Sequence, residues 1–529
     1  MAADGAPGVA PEIVLPRDYN AAVDLIERNL RAGRGGKIAF RDDRGSYTYA
    51  ELAERVDRAA NALRGLGIAP EQRVLLCLLD GIDFPTLFLG AIKAGIVPVP
   101  VNTLLTTADY DFMLRDSRAY ALVVSAPLYD RFASILAQQT ALRHVIVSGG
   151  VSAEKHRSLA DLLAAAAPRA AAAATCADEA CFWLYSSGST GTPKGVVHCH
   201  SHLILTAELY AKPLLGIAEN DVVFSAAKLF FAYGLGNALT FPMAVGATSV
   251  LMAERPTPQS VGRILTTHKP TIFYGVPTLY GAMLASNELP TREQVALRHC
   301  VSAGEALPED IGKRWHERFG VDILDGIGST EMLHIFLSNR PGDVRYGTTG
   351  RPVPGYTIRL VDEEGRPVEV GEIGELQVSG PTSAAGYWNN RERSRHTFLG
   401  PWTRSGDKYV EDRDGYFTYA GRTDDMLKVS GIYVSPFEVE SALMSHDAVL
   451  EAAVVGQLDE QKLVKPKAYV VAKPGVQPSP ALVSALQQHV KSRLAPYKYP
   501  RWIEFVDELP KTATGKIQRF KLRARGTVS

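Results

Sequence analysis

The sequence predicts an α/β protein with a large N-terminal domain of several subdomains, layered α/β sheets plus a small β-rich subdomain, followed by a small α+β C-terminal domain. Three observations carry this. Helical and strand patterns alternate from Tyr47 to about residue 330, as a layered architecture with a largely parallel sheet requires. Beyond about Gly350 the texture changes to short β-type runs separated by Gly, Pro and acidic turns. The last hundred residues then open with a capped helix and contain strands and helices of their own. At 529 residues the chain is also past the size at which one hydrophobic core keeps growing, so at least two domains are required.

In chain order, Tyr49 to Leu66 has helical spacing, Arg73 to Leu79 is a short apolar strand, Phe84 to Ala94 is helical and Ile96 to Val101 is a strand. The run Ala164 to Thr175 is nearly all alanine and lacks alternation, which predicts a poorly constrained helix end and connector. Thr357 to Val361 and Gly374 to Val378 are the β-type runs of the third subdomain. Ser435, Pro436 and Glu438 supply an N-cap, a first-turn proline and a capping-box acid for a helix through Leu443. Strands at Ala452 to Val455 and Ala468 to Val471, a helix around Leu482 to Leu494 and a strand at Trp502 to Val506 complete the domain. Its border falls near Asp424, where Gly421 and the polar run Arg422 to Asp425 interrupt the apolar pattern, dividing the chain into 1–423 and 424–529.

Lys plus Arg and Asp plus Glu both number 57, so no basic surplus points to nucleic acid or an anionic membrane, and small molecules are the expected partners. The five cysteines (Cys77, Cys176, Cys181, Cys199 and Cys300) are scattered without a C-x-x-C pair, which fits a reducing compartment. Met1 to Pro16 lacks the basic and apolar regions of a secretory signal, so the expected location is cytoplasmic. Leu229 to Ala253 is uncharged and long enough to span a bilayer, but its three glycines, Pro242 and Asn237 favour a buried segment of an α/β core.

The strongest local signal is Tyr185-Ser186-Ser187-Gly188-Ser189-Thr190-Gly191-Thr192-Pro193-Lys194-Gly195. Backbone N–H groups, hydroxyls and one ammonium in such a loop suit a polyphosphate; the plain alternative is a flexible Ser/Gly turn. It is not a Walker A loop, since Pro193 and Gly195 stand where that motif needs Gly and Ser or Thr. Four further runs follow in order: Gly328-Ser329-Thr330-Glu331, Ser405-Gly406-Asp407, Gly421-Arg422-Thr423-Asp424-Asp425 and Pro510-Lys511-Thr512-Ala513-Thr514-Gly515-Lys516.

On these five runs, spread over most of its length, the chain resembles the adenylate-forming superfamily of acyl-CoA synthetases, adenylation domains and luciferases. The resemblance implies that ATP, Mg2+ and coenzyme A serve in two steps, with an acyl adenylate passing its acyl group to the thiol. Two anions meet in the first step, so fixed cations and N–H groups lower its barrier. The resemblance assigns ATP binding to Ser187, Gly188, Ser189, Thr190, Gly191, Lys194, Gly304, Glu305, Asp325, Gly326, Ile327, Thr330, Asp407 and Arg422. Glu331 is the magnesium carboxylate it implies, a hard cation among phosphate oxygens favouring one or two acidic side chains plus water. Lys516 is the implied adenylation lysine, charged throughout the physiological range; in isolation it would read as solvated surface beside the basic Arg519, Lys521 and Arg523. With Lys516 on the small domain and ATP on the large one, Asp424 is expected at a hinge that makes the small domain mobile. Lys428, Ser430 and Gly431 are then expected near the coenzyme A tunnel.

Many relatives have a Pro-Leu-Phe-His run where this chain reads Lys228-Leu229-Phe230-Phe231-Ala232-Tyr233-Gly234. That departure is similar to the aryl branch represented by benzoate-CoA and aminobenzoate-CoA ligases. It implies an acyl site formed by Ala227, Phe231, Tyr233, Ala303, Gly328, His334 and Ile335, a flat slot that stacks one ring and leaves no alkyl tunnel. His334 would either bond an ortho or meta substituent or satisfy a buried backbone group. His198, His200 and His202 alternate around Cys199, but they follow the phosphate loop where a strand turns into a helix, and magnesium prefers oxygen ligands, so a metal site is not expected there. Benzoate is the leading acid, with 2-aminobenzoate and hydroxybenzoate as alternatives. A carrier protein is the alternative acceptor, a non-catalytic nucleotide-binding regulator the alternative class, and the protein is expected as a monomer or homodimer.

Overall fold

Nine strands form the principal sheet, in the order Arg351–Pro352, Ile335–Ser338, Ile323–Gly328, His299–Ala303, Ile272–Gly275, Val222–Ser225, Thr248–Val250, Ile38–Asp42 and Gly45–Thr48. The six strands from Ile323–Gly328 to Ile38–Asp42 run parallel, and the edges are antiparallel. These are the coordinates of a computed structural model, which describes residues 13–150, 156–187, 193–423, 425–429, 432–460, 463–511 and 517–525.

A second, wholly parallel sheet is ordered Val97–Pro100, Arg73–Cys77, Ala121–Ser125, His144–Ser148 and Arg157–Ser158. The parallel strands alternate with helices, as the sequence pattern requires. Helix Tyr49–Gly65 starts at a closed capping box: Thr48 Oγ1 accepts from the Glu51 N–H at 3.2 Å, while Glu51 Oε2 accepts from the Thr48 N–H at 2.7 Å. Helix Asp83–Lys93 crosses it so closely that a Cβ on Gly90 would lie 2.5 Å from that of Ala59.

The alanine-rich connector departs from expectation. It is not poorly constrained, because side chains of helix Tyr49–Gly65 bind its carbonyls: Arg58 bonds Ala166 at 2.7 Å, Asn61 bonds Ala167 and Arg169, and Arg64 bonds Ala171 at 2.7 Å. The uncharged run from Leu229 is part of the core, as expected, and breaks into Ala232–Leu235, the π-helical turn Gly236–Thr240, Phe241–Val245 and strand Thr248–Val250. Among the described residues no helix is long and apolar enough to cross a membrane.

The β-rich subdomain is an antiparallel sheet of Thr357–Val361, Ile373–Ser379, Trp402–Glu411 and Phe398–Leu399, with Phe417–Arg422 also on Trp402–Glu411. Beyond it the small C-terminal domain has its own core, built from Val434, Val439, Leu443, Val454, Val470, Leu486 and neighbours. Its sheet is ordered Val449–Leu458, Val464–Ala472, Trp502–Phe505. Helix Pro436–Met444 is N-capped by Ser435 as expected, at 3.1 Å from the Glu438 N–H. Glu438 does not return the bond: its two carboxylate oxygens accept from Lys498 at 2.7 and 2.6 Å. The final helix, Arg519–Arg525, is not a solvated basic tail. Arg519 makes a two-point ion pair with Glu440 at 2.8 and 2.7 Å, and Arg523 bonds Asp425 at 2.9 Å.

Candidate active site

Parallel sheets place their binding loops at strand C-terminal ends. Strand His299–Ala303 ends there on Gly304 and Glu305, and Ile323–Gly328 runs directly into Thr330 and Glu331. Ala303 and Gly326 face each other across the ladder, and Gly328 pairs with Ile335. A Cβ on Gly328 would lie 2.5 Å from the His334 carbonyl, so only glycine permits that crossing.

The strands that flank the expected phosphate loop are described: Ala180–Ser187 pairs antiparallel with Pro193–Cys199, and Ser187 faces Pro193. Gly188, Ser189, Thr190 and Gly191 lie outside the described residues, as does the Ser187 side chain. Lys194, on the returning strand, holds its ammonium 4.7 Å from the Tyr387 ring centre. The Tyr387 hydroxyl donates to Glu331 Oε1 at 2.7 Å. Burial lowers the Lys194 pKa, against the opposing pull of Glu331. His198 Nε2 donates to the Thr330 carbonyl at 2.7 Å, tying this hairpin to the Glu331 loop. The neighbouring histidines have similar structural tasks: His202 Nδ1 lies 3.0 Å from His198 Nδ1, and His200 Nδ1 accepts from the Ala21 N–H at 3.2 Å.

Asp407 and Arg422 face each other on adjacent strands, and Arg422 Nη1 donates to Asp407 Oδ1 at 3.0 Å. Gly406 has φ +74° within strand Trp402–Glu411, and a Cβ there would sit 2.8 Å from Arg422 Nη2, so glycine serves both the irregular backbone and the approach of the guanidinium. Asp325 is buried within its strand, where desolvation raises its carboxyl well above the usual range. Its Oδ1 has no hydrogen-bond partner among the described residues.

Among the residues expected around the acyl group, the Tyr233 hydroxyl donates to the Val301 carbonyl at 3.2 Å, and its ring lies 5.7 Å from that of His334. His334 packs edge-on to Phe241 at 4.5 Å, and a Cβ on Gly236 would fall 2.4 Å from its Cδ2. Its Nε2 lies 3.1 Å from Asn237 Oδ1 and 3.3 Å from the Tyr233 carbonyl. Both partners accept, so Nε2 carries the proton. Burial lowers the imidazole pKa to about 3 and keeps the ring neutral. Of the two roles expected of His334, the buried backbone bond is therefore present. Gly234 folds back on Ala227, whose carbonyl would lie 2.5 Å from an added Cβ, whereas Phe231 turns to Phe230 with ring centres 4.4 Å apart. The run from Lys228 to Gly234 is anchored by two groups, Lys228 itself and Asp80, the second of which sequence reasoning missed. Lys228 donates to the carbonyls of Met252 and Glu254, and Asp80, its carboxyl raised by burial to about 6, accepts from the Leu229 N–H at 3.2 Å.

Several of the expected positions belong to the small domain or its border. Lys428 lies in strand Leu427–Val429 with its backbone opposite Tyr433, but its side chain is outside the described residues, as are Ser430, Gly431 and Asp424. Lys516 is also outside them. The ends of its loop are bridged by Lys511 and Ile517, and the Gln518 N–H donates to the Pro510 carbonyl at 2.8 Å.

Residues 26–388 match the AMP-binding enzyme family and residues 438–516 its C-terminal domain family. A benzoate–CoA ligase of Thauera aromatica is 65% identical over 516 residues, 97% of either chain. A 4-hydroxybenzoate–CoA/benzoate–CoA ligase of Rhodopseudomonas palustris is 54% identical, covering 96% of this chain and 94% of that one. A crystal structure of a benzoate CoA ligase from Burkholderia xenovorans superposes with a TM-score of 0.90 at 59% identity, over 96% of this chain and all of that one. That of an anthranilate CoA ligase in complex with anthranoyl-AMP gives 0.93 at 46% identity, over 97% and 98%. Matched over both its large domain and its small one, the chain belongs to the family of AMP-binding enzymes.

Proposed function

We propose that this protein is a benzoate–CoA ligase that converts benzoate, ATP and coenzyme A to benzoyl-CoA, AMP and pyrophosphate. The observation that carries the reading is the ring cluster at the positions assigned to the acyl group, where His334 is wedged between Tyr233 and Phe241 and its Nε2 proton is already engaged. A wall of neutral aromatic rings admits one planar ring and stops an alkyl chain. Benzoate needs no partner for a ring substituent, and the relatives of highest identity named above act on it.

In the first step a benzoate oxygen attacks the α-phosphorus and pyrophosphate departs; in the second the coenzyme A sulfur attacks the carbonyl and AMP departs. Lys194, Thr330 and the loop 187–191 are assigned to the departing phosphates, Asp407 and Arg422 to the ribose side, and Gly304, Glu305 and Asp325 to Ile327 to the rest of ATP. The donor chemistry fits magnesium: Glu331 supplies one hard carboxylate, and phosphate oxygens and water would complete the shell. Bound there, magnesium would neutralise charge on the phosphate oxygens. Lys516 is assigned to the carboxylate and α-phosphate during adenylation. Rotation about Asp424 would then withdraw it and bring Lys428, Ser430 and Gly431 to the thiol path.

A second reading, 2-aminobenzoate, is favoured by His334 Nδ1, which has no partner among the described residues and could accept an ortho N–H. Thioester formation from benzoate, 2-aminobenzoate, 4-hydroxybenzoate, phenylacetate and octanoate tests both readings. Benzoate is expected to give the highest kcat/KM; a preference for 2-aminobenzoate would select the second reading, and one for octanoate would overturn the aryl assignment.

A further inference from the structure

We propose that Tyr387 is a positioning residue that joins the two halves of the ATP site, its ring set against the Lys194 ammonium and its hydroxyl on the Glu331 carboxylate. The inference rests on reading Glu331 as the magnesium carboxylate. Lys194 and Glu331 come from different elements, the returning strand of the phosphate hairpin and the loop after Ile323–Gly328. Tyr387 reaches both because Gly386–Tyr387 is the third strand of the hairpin sheet, with Tyr387 opposite Val196 and thus two residues beyond Lys194 in register.

The ring has little freedom. Tyr387 is buried, its N–H donates to Ser394 Oγ at 3.0 Å, and its ring packs at 5.3 Å on Phe398. A second tie runs alongside, from the Ala384 N–H to the Glu331 carbonyl at 2.8 Å. An ionised carboxylate has room for about four hydrogen-bond or metal contacts, so one bond from a rigid phenol aims it without exhausting it. The ring contact acts on Lys194 independently, holding a partly desolvated ammonium by cation–π attraction where it would otherwise swing toward solvent.

The two contacts are separable, since phenylalanine removes the hydroxyl and keeps the ring, while leucine removes both. Calorimetric ATP binding is measured in EDTA and across a magnesium titration for the wild-type chain, Tyr387→Phe, Tyr387→Leu, Glu331→Gln and the double variant Glu331→Gln/Tyr387→Phe, with a thermal melt of each. Tyr387→Phe is expected to raise the half-saturating magnesium concentration about ten- to hundredfold, the usual effect of losing a hydrogen bond that orients a metal-binding carboxylate, with ATP affinity in EDTA within about twofold of wild type. Tyr387→Leu should further weaken metal-free ATP binding about threefold through the lost ring contact. The double variant should show no larger magnesium shift than Glu331→Gln alone. A wild-type magnesium response in Tyr387→Phe, beside a shifted response in Glu331→Gln, would overturn the role of Tyr387 and leave the metal carboxylate standing. That role is overturned equally if the Tyr387→Phe shift persists undiminished in the double variant. An unshifted Glu331→Gln would remove the metal reading itself, and the proposal with it.

Discussion

Under the proposed assignment, Lys516 is the residue on which the order of the two chemical steps turns. Lys516→Ala is expected to lower benzoate-dependent pyrophosphate exchange by at least about a hundredfold, the scale seen when one preorganised charge-stabilising group is lost. Thioester formation from preformed benzoyl-AMP should stay within about tenfold of wild type, because that step places no carboxylate against the α-phosphate; equal losses in both assays would refute the division of labour. Residues of this kind are legible in sequence because they sit in contiguous runs whose composition has a chemical meaning: Lys194 beside its glycines and hydroxyls, Glu331 after Gly-Ser-Thr, Lys516 after Gly515. Tyr387, Asp80 and Asn237 carry no such mark. Tyr387 acquires its role from a strand pairing with Val196 almost two hundred positions away, and Asp80 from a single N–H at Leu229.

Among the elements, the segment between Arg422 and Leu427 carries the proposed hinge. Asp424→Pro is expected to invert the Lys516→Ala signature, sparing adenylation and lowering thioester formation, since proline fixes φ near −65° and blocks a turn there. Unaltered thioester formation would refute the hinge. Ser435→Ala should cost about 1 kcal/mol in urea denaturation of the C-terminal domain, the usual value of an N-cap, and leave the affinity for ATP unchanged. Helices and strands are readable where burial imposes a period: helix Tyr49–Gly65 ends one residue before its expected limit, and Asp83–Lys93 is displaced by one. The alanine-rich connector escapes such reading because its restraint comes from Arg58, Asn61 and Arg64 on a distant helix, and alanine itself records nothing of them.

Over the whole molecule, buried neutral histidines set the response to acid. His198 and His200 are lowered to about 4 and His334 to about 3, each chiefly by desolvation. The unfolded chain takes up their protons below about pH 6.5 while the folded chain does not, so each costs about 1.4 kcal/mol of stability per pH unit below that value until its folded pKa is reached. Asp80 acts in the opposite sense: its carboxyl, raised to about 6, binds a proton more readily in the folded state and offsets part of the loss between pH 6 and 4. The urea midpoint should therefore fall from pH 6.5 to pH 5, and the slope should lessen in His334→Asn. A slope unchanged in His334→Asn would show that this ring is protonated in the native state. The two-part architecture is legible from the change of texture after Gly350 and the cap at Ser435. The nine-strand order is not, because strand neighbours depend on crossovers that local periodicity does not encode.

The absence of space at Gly236 bears on attempts to redesign the enzyme. His334 occupies the volume that any side chain at 236 would need, and its Nε2 proton serves Asn237 and the Tyr233 carbonyl. Trimming it to alanine to accommodate a bulkier acid would strand an amide oxygen in a greasy wall, so the enlarged chamber would fill with water or collapse. If the proposed acyl site is to be retailored, the chain should keep a short hydrogen-bond donor at that position.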